Sequence, residues 1–177
     1  MSSPSSSSVA PAASASLVRR FAALVYEALL LVAVIFAANF ALLPLITPGH
    51  AGKPTELVVP ALAERVALFW LLFSILAAYF VWFWSNGRRT LAMKTWRLRL
   101  AAPDDGGVPP KTALMRYLAC WIGPMLALGA YAALSRLGLG AHATWLIAFN
   151  FLWAFVDPQR QFLHDRLAGT RIVTTVV

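Results

Sequence analysis

Residues Val18 to Ile46 read VRRFAALVYEALLLVAVIFAANFALLPLI, and this run constrains the chain more than any other. At about 1.5 Å per residue, Phe21 to Ile46 is long enough to cross a hydrocarbon layer of roughly 30 Å. One carboxylate, Glu27, stands inside it, and two arginines, Arg19 and Arg20, stand at its mouth. An ionised acid near the centre of a lipid-facing helix costs about 2.5–3.5 kcal/mol. Glu27 is therefore expected to face protein or water. With 60% hydrophobic residues and a mean hydropathy of +0.70, the 177 residues are those of an integral membrane protein and not of a soluble domain.

The net charge of +8 does not point to nucleic acid. The basic residues flank apolar spans, where the positive-inside rule accounts for them, so the expected partner is the lipid bilayer, with no nucleic acid. A single cysteine, Cys120, excludes an internal disulfide. His50, His142 and His164 show no ligand spacing, so neither a metal nor another cofactor is expected.

Read in order, the chain divides into a Ser/Ala/Pro-rich tail, residues 1–17, and a membrane domain, residues 18–177. The tail has no charged side chain before Arg19 and little to bury, which predicts disorder. The first apolar run is too long for the core of a cleaved signal peptide, so it is expected to be an uncleaved anchor. Thr47 to Pro60 is a Pro/Gly loop. Val66 to Trp84 forms a second span, and Tyr79, Trp82 and Trp84 are expected to make an interfacial aromatic belt. After the Asn86-Gly87 turn comes the most basic segment. Within it Trp96, Leu98 and Leu100 alternate with Arg97 and Arg99, the period of a half-buried strand. Tyr117 to Leu134 is a third span with a kink expected at Gly123-Pro124.

The segment 137–156 is a fourth span only if Gly138, Gly140 and His142 are admitted. Charge decides the matter. Four spans with both termini cytoplasmic put 12 of the 15 basic residues inside and leave Lys53, Arg65 and Arg136 outside. Asp157-Pro158 then resembles a helix start and Gly169 a helix stop, predicting an interfacial helix over 158–168 with Phe162 and Leu163 in the bilayer. The β-branched end, Thr170 to Val176, suits a strand. The expected fold is all-α transmembrane: a four-helix membrane bundle with a short cytoplasmic interfacial helix. Pairing of the two strand-like segments would add a two-stranded cytoplasmic β-cap, burying Trp96, Leu98, Leu100, Ile172 or Val173 and bringing Asp165 close to Arg20.

Arg20 followed by an acid seven residues on, the loop NGRRTLAMKTWRLRL and the ending QFLHDRLAGTRIV resemble those of an RDD-family membrane protein. The likeness covers Val18 to Val173. The family is named for an arginine at the start of its first helix and for two aspartates. These correspond to Arg20, to Glu27, which is one methylene longer, and to Asp165. The resemblance implies ligand transport or sodium/proton exchange, and a multi-pass protein of the bacterial plasma (inner) membrane.

The candidate site is thus Arg20, Glu27 and Asp165. Arg20 and Glu27 lie on nearly one helix face but about 10.5 Å apart, so each is expected to meet a group on another element. Glu27 is either a proton or cation site or half of a buried structural pair. Asn39 and Asn150 are expected to act as interhelical hydrogen-bond glue. His164 and Arg166 flank Asp165, but no nucleophile motif accompanies them, so no enzyme activity is expected. Arg88, Arg89, Lys94, Arg97 and Arg99 could meet lipid headgroups, including anionic lipid. Two classes of function follow. One is an ion or small-solute transporter, expected to be a homo-oligomer because four helices enclose little space; the other is a structural or adaptor protein docking a partner or lipid.

Overall fold

The computed structural model describes residues 13–46 and 61–175, with the side chains of 38, 39 and 41–46 excepted. The expectations for residues 1–12, for the loop 47–60 and for the Asn39 side chain lie outside the described residues. Helix α1 (Leu17–Ile46) starts at Ser16, whose hydroxyl accepts the Arg19 N–H at 3.4 Å. Helix α2 (Leu62–Trp84) opens with the Glu64 carboxylate accepting the Ala61 N–H at 3.0 Å. A short α3 (Leu91–Thr95) and strand β1 (Leu98–Ala101) follow. Helix α4 (Pro110–Cys120) has proline at its first position, where a missing N–H costs nothing. It runs almost directly into α5 (Ile122–Leu134).

Among the described residues, three segments are long and apolar enough to cross a membrane: Leu17–Ala37, Leu62–Trp84 and Pro110–Leu137. The expected fourth span takes a different form. Gly140–Ala148 is 3₁₀ helix, Phe149–Leu152 is a single α-turn (α6) and Trp153–Phe155 is 3₁₀ again. The tighter winding accompanies a close approach to α5. A Cβ on Gly123 would lie 2.6 Å from the Ile147 carbonyl oxygen, so only glycine admits this contact. The helix is interrupted at Trp121, between α4 and α5, two residues before the expected kink at Gly123-Pro124. Pro124 cannot donate to Cys120, four residues back, and the Asn150 amide does so instead at 2.7 Å, with a second bond to Ala119 at 3.1 Å.

The strand-like segments do pair. β1 and β2 (Arg171–Thr174) form an antiparallel ladder, Leu98 opposite Thr174 through Ala101 opposite Arg171. Leu98, Leu100, Ile172 and Val173 are buried beneath the helices, and Trp96 packs partly buried against them. Part of the tail also joins. Ser14 bridges Val173, and the Ala15 N–H donates to Ile172 at 3.1 Å, so residues 13–16 belong to the folded unit, contrary to expectation. Their backbone finds a free strand edge, which composition does not reveal.

The interfacial helix is shorter than expected. Asp157 accepts the N–H groups of Gln159 and Gln161, each at 3.0 Å, and so closes a turn instead of capping a helix. Helix α7 covers only Leu163–Leu167, and Gly169, at φ +61°, ends it. Phe162 does not enter lipid. It is 2% exposed and packs against Phe21 and Phe151, both at 5.3 Å between ring centroids.

Candidate functional site

Three positions one and two turns apart on α1, namely Arg20, Ala23 and Glu27, are its buried stripe. Neighbours on its other faces, such as Leu24, Val25, Leu29 and Val32, are exposed. Glu27 meets α2 and the loop before α3. The Tyr79 hydroxyl donates to Oε1 at 2.7 Å and the Thr90 hydroxyl donates to Oε2. Thr90 is also the N-cap of α3, accepting the Met93 N–H at 3.2 Å. Glu27 therefore has two hydroxyl donors and, among the described residues, no ion-pair partner. Its pocket is made by Tyr79 and Thr90, whereas Asn150 bonds the carbonyls of Ala119 and Cys120.

Asp165 lies at the start of α7, fully buried, and its partner is Arg116 of α4, whose Nε donates to Oδ1 at 2.7 Å. Arg20, expected close to Asp165, forms no salt bridge with it. The Arg116 guanidinium also lies 4.0 Å over the Trp84 ring. Arg20 donates instead to the backbone, to the Arg160 carbonyl at 2.9 Å and the Ile172 carbonyl at 3.4 Å. It thereby ties the mouth of α1 to the turn before α7 and to β2. Asp165 and Arg116 both interact electrostatically with Arg20, so the three charges form one cluster.

His164 sits beside this cluster, wedged against Phe151 and Phe162 at 5.8 and 5.5 Å between centroids. Burial pushes its imidazole down to about 4, since a charged ring there would lose its water; Asp165 opposes that shift and Arg116 adds to it. His164 is neutral at physiological pH. Arg166 is half-exposed and reaches Asp157 at 3.8 Å.

The residues expected at headgroups divide. Arg88 folds over Trp82, 4.0 Å from its ring, and donates to the Trp82 carbonyl at 2.6 Å. Arg89 donates to Thr175 at 3.3 Å, and Arg99 donates to the Asp105 carbonyl at 3.0 Å. Lys94 and Arg97 are exposed. The aromatic belt divides too: Trp82 faces outward, whereas Trp84 is buried and Tyr79 turns in to Glu27.

Between α1, α2, α4 and the cap lies a cavity of about 300 Å³. Arg20, Glu27, Arg116, Tyr117, Cys120 and His164 supply its polar groups, and apolar side chains such as Leu31, Phe80 and Phe151 make its walls. Two buried polar atoms on these side chains, Arg20 Nε and His164 Nδ1, have no hydrogen-bond partner among the described residues. Among the described residues no cluster of metal ligands occurs. A mainly apolar cavity with a few convergent polar groups has the form of a small-ligand site.

Sequence reasoning missed Tyr79, Thr90 and Arg116. For Arg116 the signal was present, because ALMRYLACWIG places a cation inside a span just as Glu27 places an anion.

Membrane-crossing apolar helices around a small charged cluster define an integral membrane protein. The RDD family model matches residues 14–169, and the chain belongs to the RDD family. No curated protein and no solved structure matches the chain.

Proposed function

We propose that the protein carries a proton, or a small cation in exchange for one, across the membrane through Glu27, alone or coupled to a small solute. The observation that carries this reading is the setting of Glu27 within the first span. Two neutral hydroxyls hold its carboxylate beside a cavity, with no ion pair among the described residues. Hydroxyl donors stabilise the anion yet can reorient to accept, so the same pocket tolerates the protonated acid. A salt bridge such as Arg116–Asp165 holds its charges in place and suits a structural role.

The cap gathers Arg88, Arg89, Lys94, Arg97, Arg99, Arg166 and Arg171, which supports a cytoplasmic cap and both termini inside a bacterial plasma membrane. The run 140–155 supports a fourth crossing. With 3₁₀ turns rising about 2.0 Å per residue, it reaches roughly 30 Å despite its shortness. Thiol labelling of Thr175→Cys from outside intact cells checks the orientation; no labelling is expected.

Proton flux into proteoliposomes, followed with an entrapped pH dye, tests the function. Wild type should conduct and Glu27→Gln should lose at least tenfold. Equal flux in the two proteins would remove the reading. It would favour the alternative of an adaptor, for which the exposed Lys94 and Arg97 offer a basic docking edge for a partner or anionic lipid.

A further inference from the structure

The cavity is unlike a simple proton path. Its walls are apolar over most of their extent, and one of its polar groups is a buried guanidinium N–H without an acceptor among the described residues. Arg20 is 3% exposed, and although its two terminal nitrogens reach backbone carbonyls, its Nε–H faces no acceptor among the described residues. His164, equally buried, likewise has Nδ1 unpartnered. Buried polar atoms without partners are rare, because each forfeits a hydrogen bond that water would give. Both side chains line the same cavity.

We propose that the cavity binds one small lipophilic anion, a carboxylate or sulfonate on an aromatic or branched apolar body, together with one proton on Glu27. The proposal rests on the proton-carrying reading of Glu27 and adds the substrate class and the coupling. The anion's oxygens accept from Arg20 Nε–H, and its apolar body lies against Leu31, Phe80 and Phe151. At about 300 Å³ the space is near the lower end for ligand sites, which suits a one-ring body and excludes a two-chain lipid.

Charge counting supplies the coupling. The ionisable groups that face Glu27 or share its cavity are Arg20 on its own helix, Tyr79 of α2, Arg116, Tyr117 and Cys120 of α4, and His164 of α7. Tyr79, Tyr117, Cys120 and His164 are neutral in this setting. Asp165, behind the cavity wall, balances Arg116. Arg20 and an ionised Glu27 then cancel, and an entering anion would bring an uncompensated negative charge into an apolar space. A protonated Glu27 leaves Arg20 in surplus, and the anion restores neutrality. Proton and anion therefore favour each other's binding by the same factor. Carried together, they move no net charge across the membrane.

The test uses the full-length protein in detergent micelles with benzenesulfonate as probe, because a sulfonate stays ionised and any proton taken up must go to the protein. Calorimetry in buffers of differing ionisation heat should show saturable binding of one sulfonate with uptake of about one proton. Where binding takes up one proton, affinity should fall about tenfold per unit rise in pH. Glu27→Gln should bind the probe with no proton uptake and no such pH dependence. Ala28→Phe, which fills the cavity and leaves every charge, should abolish binding while the protein stays monodisperse and helical. Three results would overturn the proposal: no saturable binding by wild type or Glu27→Gln at any pH, equal affinity for uncharged benzenesulfonamide, or binding without proton uptake. Proton flux that needs Glu27, with no sulfonate bound, removes the anion site and leaves the proton carrier. Sulfonate binding without proton uptake, with flux unchanged in Glu27→Gln, removes the proton carrier and the coupled site with it.

Discussion

The two ends of this molecule are built from similar apolar sequence and solve different problems. At the cap end, Trp84, Leu98, Leu100, Tyr117 and Ile172 are buried around Arg20, Arg116 and Asp165. At the far end, every residue from Ala61 to Leu72 of α2 is exposed, and Phe36 and Phe40 of α1 are more than 70% exposed. In water the far end would be an aggregation surface. In a bilayer it needs no protein partner, because lipid tails are as apolar as leucine and give helices no hydrophobic reason to associate. Association is left to groups that lipid cannot satisfy, and those described here concentrate at or near the cap end. Polar pairing, and not apolar burial, decides where this chain is compact.

That contrast can be broken most sharply at the buried ion pair. Asp165→Ala leaves Arg116 charged and unpaired, and should cost about 3–5 kcal/mol. Thermal unfolding in detergent checks it, with exposed Arg97→Ala as the comparison. Equal midpoints for the two variants would mean that the pair does not hold the cap.

Acid offers a second, smaller handle on the cap. The unfolded chain protonates His164 near 6.5, whereas the folded one resists until about 4. Between these values the unfolded state binds more protons. The contribution is therefore fully present above about 6.5 and is lost as pH falls toward about 4, by up to about 3 kcal/mol. His164→Phe, which suits the rings of Phe151 and Phe162, should flatten the wild-type slope across that window. Identical slopes would place the acid sensitivity elsewhere.

The smallest effect belongs to the far end. Phe36→Ala should shift stability by no more than about 0.5 kcal/mol in the same unfolding assay. A loss of several times that amount would show the far end covered by protein instead of lipid.

Legibility in the sequence follows the same divide. Three spans, a break in the third just ahead of Pro124 and the pairing of the basic loop with the tail can be read from apolar length, proline and a two-residue period. Burial within a span cannot, since apolar residues occupy all faces of α1 and α2 and no periodicity marks the inward one. Glu27 is the exception, its charge alone requiring a protein face. Its partners stay hidden because Tyr79 serves equally well as an interfacial ring and Thr90 as a plain helix cap. Arg116 is masked by the positive-inside count, which treats every cation near a span as a topological marker. Phe162 and Asp157 mislead for a local reason, since a good cap followed by proline can close a turn as readily as start a helix.

One feature of the cap reaches back to the making of the protein. Arg20 donates to carbonyls 140 and 152 positions further along the chain. At roughly 5–20 residues per second, synthesis reaches Ile172 some 8 to 30 s after Arg20 has been made. For the first 140 residues of that interval the arginine at the mouth of the first span has neither final acceptor, while Arg116 waits for Asp165 and the open carbonyls at the helix break wait for Asn150. The first span must therefore sit in the membrane with its charged end held by water or headgroups, and only the arrival of the last two dozen residues lets it settle. The order of translation makes the tail the clasp of the fold.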